Sequence, residues 1–227
     1  MTQDEMLHFA SEGWVRPAAA LPVEHYLSVQ TLARKLKSQA YWQDMLSGIH
    51  NPFGHHACPS DAWKFLDLAE CQMLLDFVVE LIGSNVILWD SELYFETRGV
   101  SSEEGEYWPV DPLSGVLAVV SLDRGDVLFA DITKMQNAYP VLLKAEGTHY
   151  VIRYMSAMSH FNRDARYVAN VRAAAMRPLV NYAQRPIWLV RGMDLGSNDF
   201  VTGFSVPAGR WIQSDWLSSE PASGADG

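Results

Sequence analysis

The stretch VSSEEGEYWPVDPLSGV, Val100 to Val116, gathers residue types that do chemistry. Glu103, Glu104 and Glu106 stand beside Tyr107 and Trp108, ahead of a proline-set turn and an apolar run. Carboxylates against aromatic walls suit proton transfer in an apolar cleft, where burial or a like charge raises a carboxyl pKa toward the working range. The competing reading is a solvated acidic loop, the usual fate of an acid run. Ser102, His149 and Asp131 offer a nucleophile, a base and an orienting acid, although no nucleophile-elbow motif accompanies them. His149 also has a bland reading as a hydrogen-bonded strand histidine. His55 and His56 are adjacent in an extended loop, where neighbouring side chains point apart, so they make a poor metal pair.

These residues belong to a chain of 227 residues, 48% hydrophobic and 19% charged. That length supports one sizeable core, so a single domain over 1–216 is expected, with a polar tail over 217–227 too poor in apolar surface to order itself. The net charge of −10 argues against a nucleic-acid or anionic-membrane surface, both of which need clustered Lys and Arg. Two cysteines, Cys58 and Cys71, do not make a disulfide framework, and Cys71 reads as a small buried hydrophobe in a helix. No apolar run reaches transmembrane length and MTQDEMLHF lacks a leader pattern, so a cytoplasmic location is expected.

The elements that must hold these side chains follow from periodicity. Pro22 opens a helix at its first position, with Tyr26, Val29, Leu32, Ala33 and Leu36 on one face. A second helix, capped by Ser60 or Asp61, carries Leu68, Cys71, Leu75, Val78, Val79 and Ile82 and ends at Gly83. Five strand-like runs follow, at 85–97, 116–122, 126–132, 148–155 and 186–190, with a short helix within 163–180. Strands in series after packing helices predict a mainly β jelly roll with flanking helices.

LIGSNVILWDSELYFETRG, EYWPVDPLSGVLAVVSLD, RGDVLF, VIRYMS and IWLVRGMD resemble consecutive signposts of the phytanoyl-CoA dioxygenase family. MLHFASEGWV resembles that family's N-terminus, and EYWPVDPLSG is the most specific piece. The resemblance implies a double-stranded β-helix, the cupin-like jelly roll of iron(II)/2-oxoglutarate oxygenases. It also implies iron held by two His and one Asp, with open positions for 2-oxoglutarate and oxygen.

Position by position, the ligands do not arrive. The family's His-x-Asp falls on Ser102-Glu103-Glu104, and no His-x-Asp or His-x-Glu exists in the chain. The distal His falls on Gln136, the arginine that binds the 2-oxoglutarate carboxylate on Gly147, and a basic co-substrate residue on Glu96. The segment between SLD and RGDVLF is shortened, so Asp123 runs straight into Arg124. Ser and Gln are poor ligands for Fe(II), and without an arginine fork 2-oxoglutarate loses its bidentate partner.

Strand parity then predicts what fills the cavity. His149, Val151 and Arg153 share a face with Gly147, and Glu92 and Tyr94 share one with Glu96. The expected catalytic set is Glu104, Glu96, His149 and Gln136. The expected substrate contacts are Tyr94, Trp108, Ser102, Tyr107, Arg153 and Asp131. Arg153 also has a structural reading, as an ion-pair residue.

The function this predicts is an enzyme on the oxygenase fold that needs neither metal nor cofactor. It would be a cyclase, isomerase or lyase that folds a small, largely apolar metabolite of specialised biosynthesis and acts by acid–base chemistry. The alternatives are a non-catalytic ligand-binding or partner protein, and an Fe(II)/2-oxoglutarate dioxygenase with a rebuilt site at Glu104, His149 and Glu96. The expected partner is a small-molecule substrate, not nucleic acid or membrane, and a homodimer stays open.

Overall fold

A computed structural model describes residues 1–38, 45–47, 49, 63–95, 100–144, 146–176 and 185–200. The first element, α1 (Gln3–Glu12), starts on a capping box between Thr2 and Glu5 and stops at Gly13, whose φ of 76° is left-handed. After β1 (Trp14–Val15) comes α2 (Val23–Lys37), with Pro22 as its N-cap rather than its first residue. Its buried stripe is the expected one: Tyr26, Val29, Leu32, Ala33 and Leu36.

Strand β2 (Met45–Ser47) precedes two helices where the sequence predicts one. They are α3 (Trp63–Ala69) and α4 (Gln72–Ile82), broken at Glu70 and Cys71. Cys71 is therefore a half-buried N-cap with extended backbone, not a helix-interior residue. The break is held from the sheet side. The Tyr150 hydroxyl donates to the Phe65 carbonyl at 3.1 Å and the Tyr154 hydroxyl to the Ala69 carbonyl at 2.6 Å, the second of which the end of α3 leaves open. Burial raises both phenol pKa values, which keeps them protonated donors. The expected caps at Ser60 and Asp61 lie outside the described residues.

The rest is β3 (Val86–Tyr94), a 3₁₀ turn (Glu104–Tyr107), β4 (Val110–Asp111), β5 (Gly115–Ser121) and β6 (Val127–Asp131). A second 3₁₀ turn (Ile132–Lys134) leads into α5 (Met135–Leu142), then β7 (His149–Ser156), β8 (His160–Phe161), α6 (Val168–Met176) and β9 (Trp188–Arg191). Seven strands form one antiparallel sheet in the order β1-β6-β5-β7-β3-β2, with β9 on the Val86–Leu88 half of β3. Among the described residues β4 and β8 make a second, two-stranded sheet.

Both faces of β3, β5 and β7 are buried. One face, with Val116, Ala118, Val120, Tyr150, Ile152 and Tyr154, packs on α2, α3 and α4. The opposite face carries Leu117, Val119, Val151 and Met155 and lies under Trp108, Phe161, Ile132 and Met135. A register shift between Leu88 and Asp90 breaks the alternation of β3, so Trp89 and Asp90 both belong to this second face. Position 97, residues 177–180 and the tail 217–227 lie outside the described residues. No described helix is long and apolar enough to cross a membrane.

Candidate functional site

The second face holds a buried polar spine. Its centre is Arg153 on β7, 4% exposed. Its Nε donates to Glu104 Oε1 at 2.6 Å, one terminal nitrogen donates to Glu92 Oε2 at 2.8 Å, and the other lies 3.5 Å from Asp90 Oδ2. Arg185 contacts the other oxygen of Asp90, and the Tyr94 hydroxyl donates to Glu92 Oε2. Asp90, Glu92 and Glu104 are all at most 4% exposed. Three carboxylates in such a place need cationic partners, and two guanidiniums answer them. Burial pulls Arg185 down to about 9, still above neutrality, so it stays charged. Glu104 differs from the other two acids: among the described residues only Arg153 bonds it, and Oε2 has no partner.

At the other end of β7 stands His149, directly opposite Tyr94 on β3 and Ser121 on β5. Its Nδ1 lies 3.0 Å from the Gly147 carbonyl. A carbonyl only accepts, so Nδ1 carries the proton and Nε2 presents a lone pair. Burial lowers the imidazole pKa, opposed by the Gly147 carbonyl and by the charges of Asp123 and Asp126. The neutral ring is thus the resting form, as a general base requires. Four residues of strand, about 13 Å, separate His149 from Arg153. Consecutive hydrogen bonds run from Tyr94, opposite His149, through Glu92 and Arg153 to Glu104.

The apolar wall is Trp89, Trp108 and Phe161. Trp89 meets Trp108 edge to face at 5.1 Å and Phe161 at 5.8 Å. Trp108 fits because position 115 is glycine: a Cβ there would run into the Trp108 ring and the Tyr154 carbonyl. Both indole N–H groups are buried without a partner among the described residues, two donors for an oxygen on a bound molecule.

The structure places the expected site residues unevenly. Glu104, Tyr94, Trp108, His149 and Arg153 do share one buried face. Glu104 is not in a solvated loop; the 3₁₀ turn rolls it inward and leaves Glu106 outside, paired with Arg172. Ser102 and Tyr107 are half-buried at the edge of that turn. Gln136 is a correction: α5 replaces the expected strand and turn, Met135, Ala138 and Leu142 take its buried side, and Gln136 is exposed. Asp131 is another. It accepts from the Thr133 backbone and hydroxyl at 2.8 and 2.7 Å, as the cap of the second 3₁₀ turn.

The triad of Ser102, His149 and Asp131 does not assemble either. Asp131 pairs with Val116 and His149 with Ser121, five residues apart along β5, or about 17 Å. Glu96, His55, His56 and Cys58 lie outside the described residues. Sequence reasoning gave no site role to Asp90, Glu92, Arg185 or Ser121, although it set Glu92 on the face of Tyr94 and Glu96. The signal for the first two was present in VILWDSELY: two acids two places apart in an apolar strand must share one face. Arg185 carried none.

The iron site that the family resemblance implies does not fit the described residues. No group of three His, Cys, Asp or Glu among them has metal-holding geometry. The carboxylates that converge do so on a guanidinium. Gly147, where the resemblance puts the 2-oxoglutarate arginine, has φ 98°, and a Cβ there would run into Asp123 Oδ2, which also accepts from the Thr148 backbone at 3.0 Å.

No family model matches the chain, and no curated protein is significantly similar in sequence. Solved structures are similar. CytC3 with Fe(II) and α-ketoglutarate aligns at a TM-score of 0.54 and 12% identity, over 88% of this chain and 93% of that one. The Ni complex of the non-heme monooxygenase ThoJ aligns at 0.53 and 14%, over 95% of each chain. The epimerase SnoN in complex with Fe3+, α-ketoglutarate and nogalamycin RO aligns at 0.51 and 10%, over 70% and 85%. At these identities the likeness establishes the fold: a mainly antiparallel β domain with flanking helices, built as the cupin-like double-stranded β-helix of the 2-oxoglutarate oxygenases.

Proposed function

We propose that this chain is an enzyme that works on the oxygenase fold without iron or 2-oxoglutarate, as a cyclase, isomerase or lyase for a small, largely apolar metabolite of natural-product biosynthesis. One observation carries the reading. The acids of the inner face already have their cation, because Arg153 is shared by Asp90, Glu92 and Glu104. A guanidinium in that position offers no open coordination position, so the chemistry falls to proton transfer and substrate shape.

The roles follow from the hydrogen bonds. Glu104 is held by one oxygen and presents the other. His149 offers Nε2 as a base. Trp89, Trp108 and Phe161 supply an apolar wall on which a substrate folds and from which water is excluded. SnoN is an epimerase on the same fold, and the natural-product setting is taken over from such neighbours by analogy.

The test is an anaerobic titration of the protein with Fe(II) and 2-oxoglutarate, followed by visible absorption and calorimetry. No charge-transfer band and no binding heat is the expected result. Stoichiometric binding with a charge-transfer band would overturn the metal-free reading and direct attention to a site rebuilt around Glu104, His149 and Glu96. Binding without catalysis is the other alternative. It predicts no turnover by the wild-type chain and little change in ligand affinity in folded Glu104→Gln and His149→Ala, where the enzyme reading predicts a large loss of turnover in at least one.

A further inference from the structure

The geometry points to Ser121 and His149 as a nucleophile–base pair that accepts an acyl group from an apolar ester or thioester. This goes beyond the reading above, since Ser121 has no part in it, and the two fail separately.

Ser121 ends β5, is 2% exposed, and its hydroxyl has no hydrogen-bond partner among the described residues. A buried hydroxyl without a partner is uncommon in folded proteins and marks a place where a reactant can complete the bonding. Ser121 is directly opposite His149. The next pair along, Leu122 and Thr148, is joined by a backbone hydrogen bond from the Leu122 N–H at 3.0 Å. In an antiparallel ladder the bonded and non-bonded pairs alternate, so Ser121 and His149 form the closer, non-bonded kind. Their side chains leave the same face with Cβ atoms about 5 Å apart, within rotamer reach of a hydrogen bond.

The third member of such a device orients the base. Here it is the Gly147 carbonyl, which takes the Nδ1 proton and turns Nε2 outward. That carbonyl is itself fixed, because Asp123 fills the space over Gly147 and accepts from Thr148. The groups that act electrostatically on the ring are Asp123, Asp126 and Arg124, and Tyr94 faces it from β3. The two aspartates favour the imidazolium that forms when the base takes a proton. Val119 and Val151, paired next along the same face, make the bed for an apolar acyl chain.

The step balances without a further reagent. Ser121 Oγ bonds to the acyl carbon as its proton passes to His149 Nε2. The tetrahedral centre collapses, the bond to the alcohol or thiol breaks, and that leaving group takes the proton from His149. Water, or a hydroxyl within the same acyl chain, then attacks the Ser121 ester, again through His149. The second route closes a lactone ring, which would make the cyclase an acyl-transfer enzyme.

The test uses the full chain and an alkyl fluorophosphonate, with the adduct located by peptide mass spectrometry. The expected result is one adduct per chain, on Ser121, absent in Ser121→Ala and formed about 100-fold more slowly in His149→Ala. Its rate should rise with pH through a midpoint below the ordinary imidazole value of about 6.5. No adduct on Ser121, or one that forms equally fast without His149, overturns the pair. Either outcome leaves the iron titration to decide the metal-free reading by itself.

Discussion

Glu104 Oε1 accepts a hydrogen bond from Arg153 Nε at 2.6 Å across 49 residues of sequence, and both side chains are buried. The bond ties the 3₁₀ turn at 104–107 to the central strand β7. Removing the guanidinium takes the shared cation from three buried carboxylates and costs Glu104 the arginine that bonds it, while Asp90 keeps Arg185. Arg153→Leu is therefore expected to cost about 3–5 kcal/mol, and Glu104→Gln, which keeps an acceptor, about 1–3 kcal/mol. Urea denaturation of both variants checks the order, and a smaller loss for Arg153→Leu would contradict it.

The same cluster predicts a response to metal. Asp90, Glu92 and Glu104 are oxygen donors of the kind that Mn(II) and Ca(II) accept. Arg153→Ala is expected to gain thermal stability on addition of Mn(II), with the wild-type chain indifferent at equal ionic strength. Equal responses in the two proteins would show that the guanidinium is not the cation of the cluster.

His149 sets a pH dependence. Burial lowers its pKa in the folded state, whereas the unfolded chain keeps the ordinary value near 6.5. Below 6.5 the unfolded state binds the extra proton first, so stability falls with pH through that window and levels off below the folded pKa. Denaturant midpoints between pH 7.5 and 5.5 should show this slope, and His149→Gln should flatten it. A slope unchanged in the variant would assign it to another group.

Gly147 tests the backbone that aims His149. Its φ of 98° disfavours any side chain, and Asp123 occupies the Cβ direction. Gly147→Ala should cost about 1–3 kcal/mol, and Gly147→Arg, which supplies the arginine the family resemblance puts there, should cost at least as much and gain no 2-oxoglutarate binding. A stable Gly147→Arg protein that binds 2-oxoglutarate would refute this account.

Gln136 and Asp131 give the contrast. Exposed Gln136→Ala should change stability by less than about 0.5 kcal/mol, while Asp131→Ala loses the cap on Thr133 and should cost about 1 kcal/mol. Thermal melts decide, and a large effect at Gln136 would mean that α5 is not placed as described.

Much of this was legible in the sequence, because periodicity is a local property. The stripe on α2, the runs of β3, β5, β6 and β7, and the end of α4 at Gly83 follow from spacing and from glycine's freedom. Strand parity also put His149 with Arg153 on one face of their strand and Glu92 with Tyr94 on one face of theirs, and register set the two faces side by side. What spacing cannot give is the partner of a charge. Arg153 meets Glu104, Glu92 and Asp90 across 49, 61 and 63 residues, and Arg185 reaches Asp90 across 95.

Whether Glu104 faces water or an arginine depends on how the 3₁₀ turn packs against β7. Whether position 136 points inward depends on a helix standing where a strand was expected. Ser121 became a candidate only when register set it opposite His149. Local pattern decides which way a side chain leaves its own strand, but the energy of a buried charge or hydroxyl is set by what the rest of the chain brings to it. Only the tertiary structure supplies that.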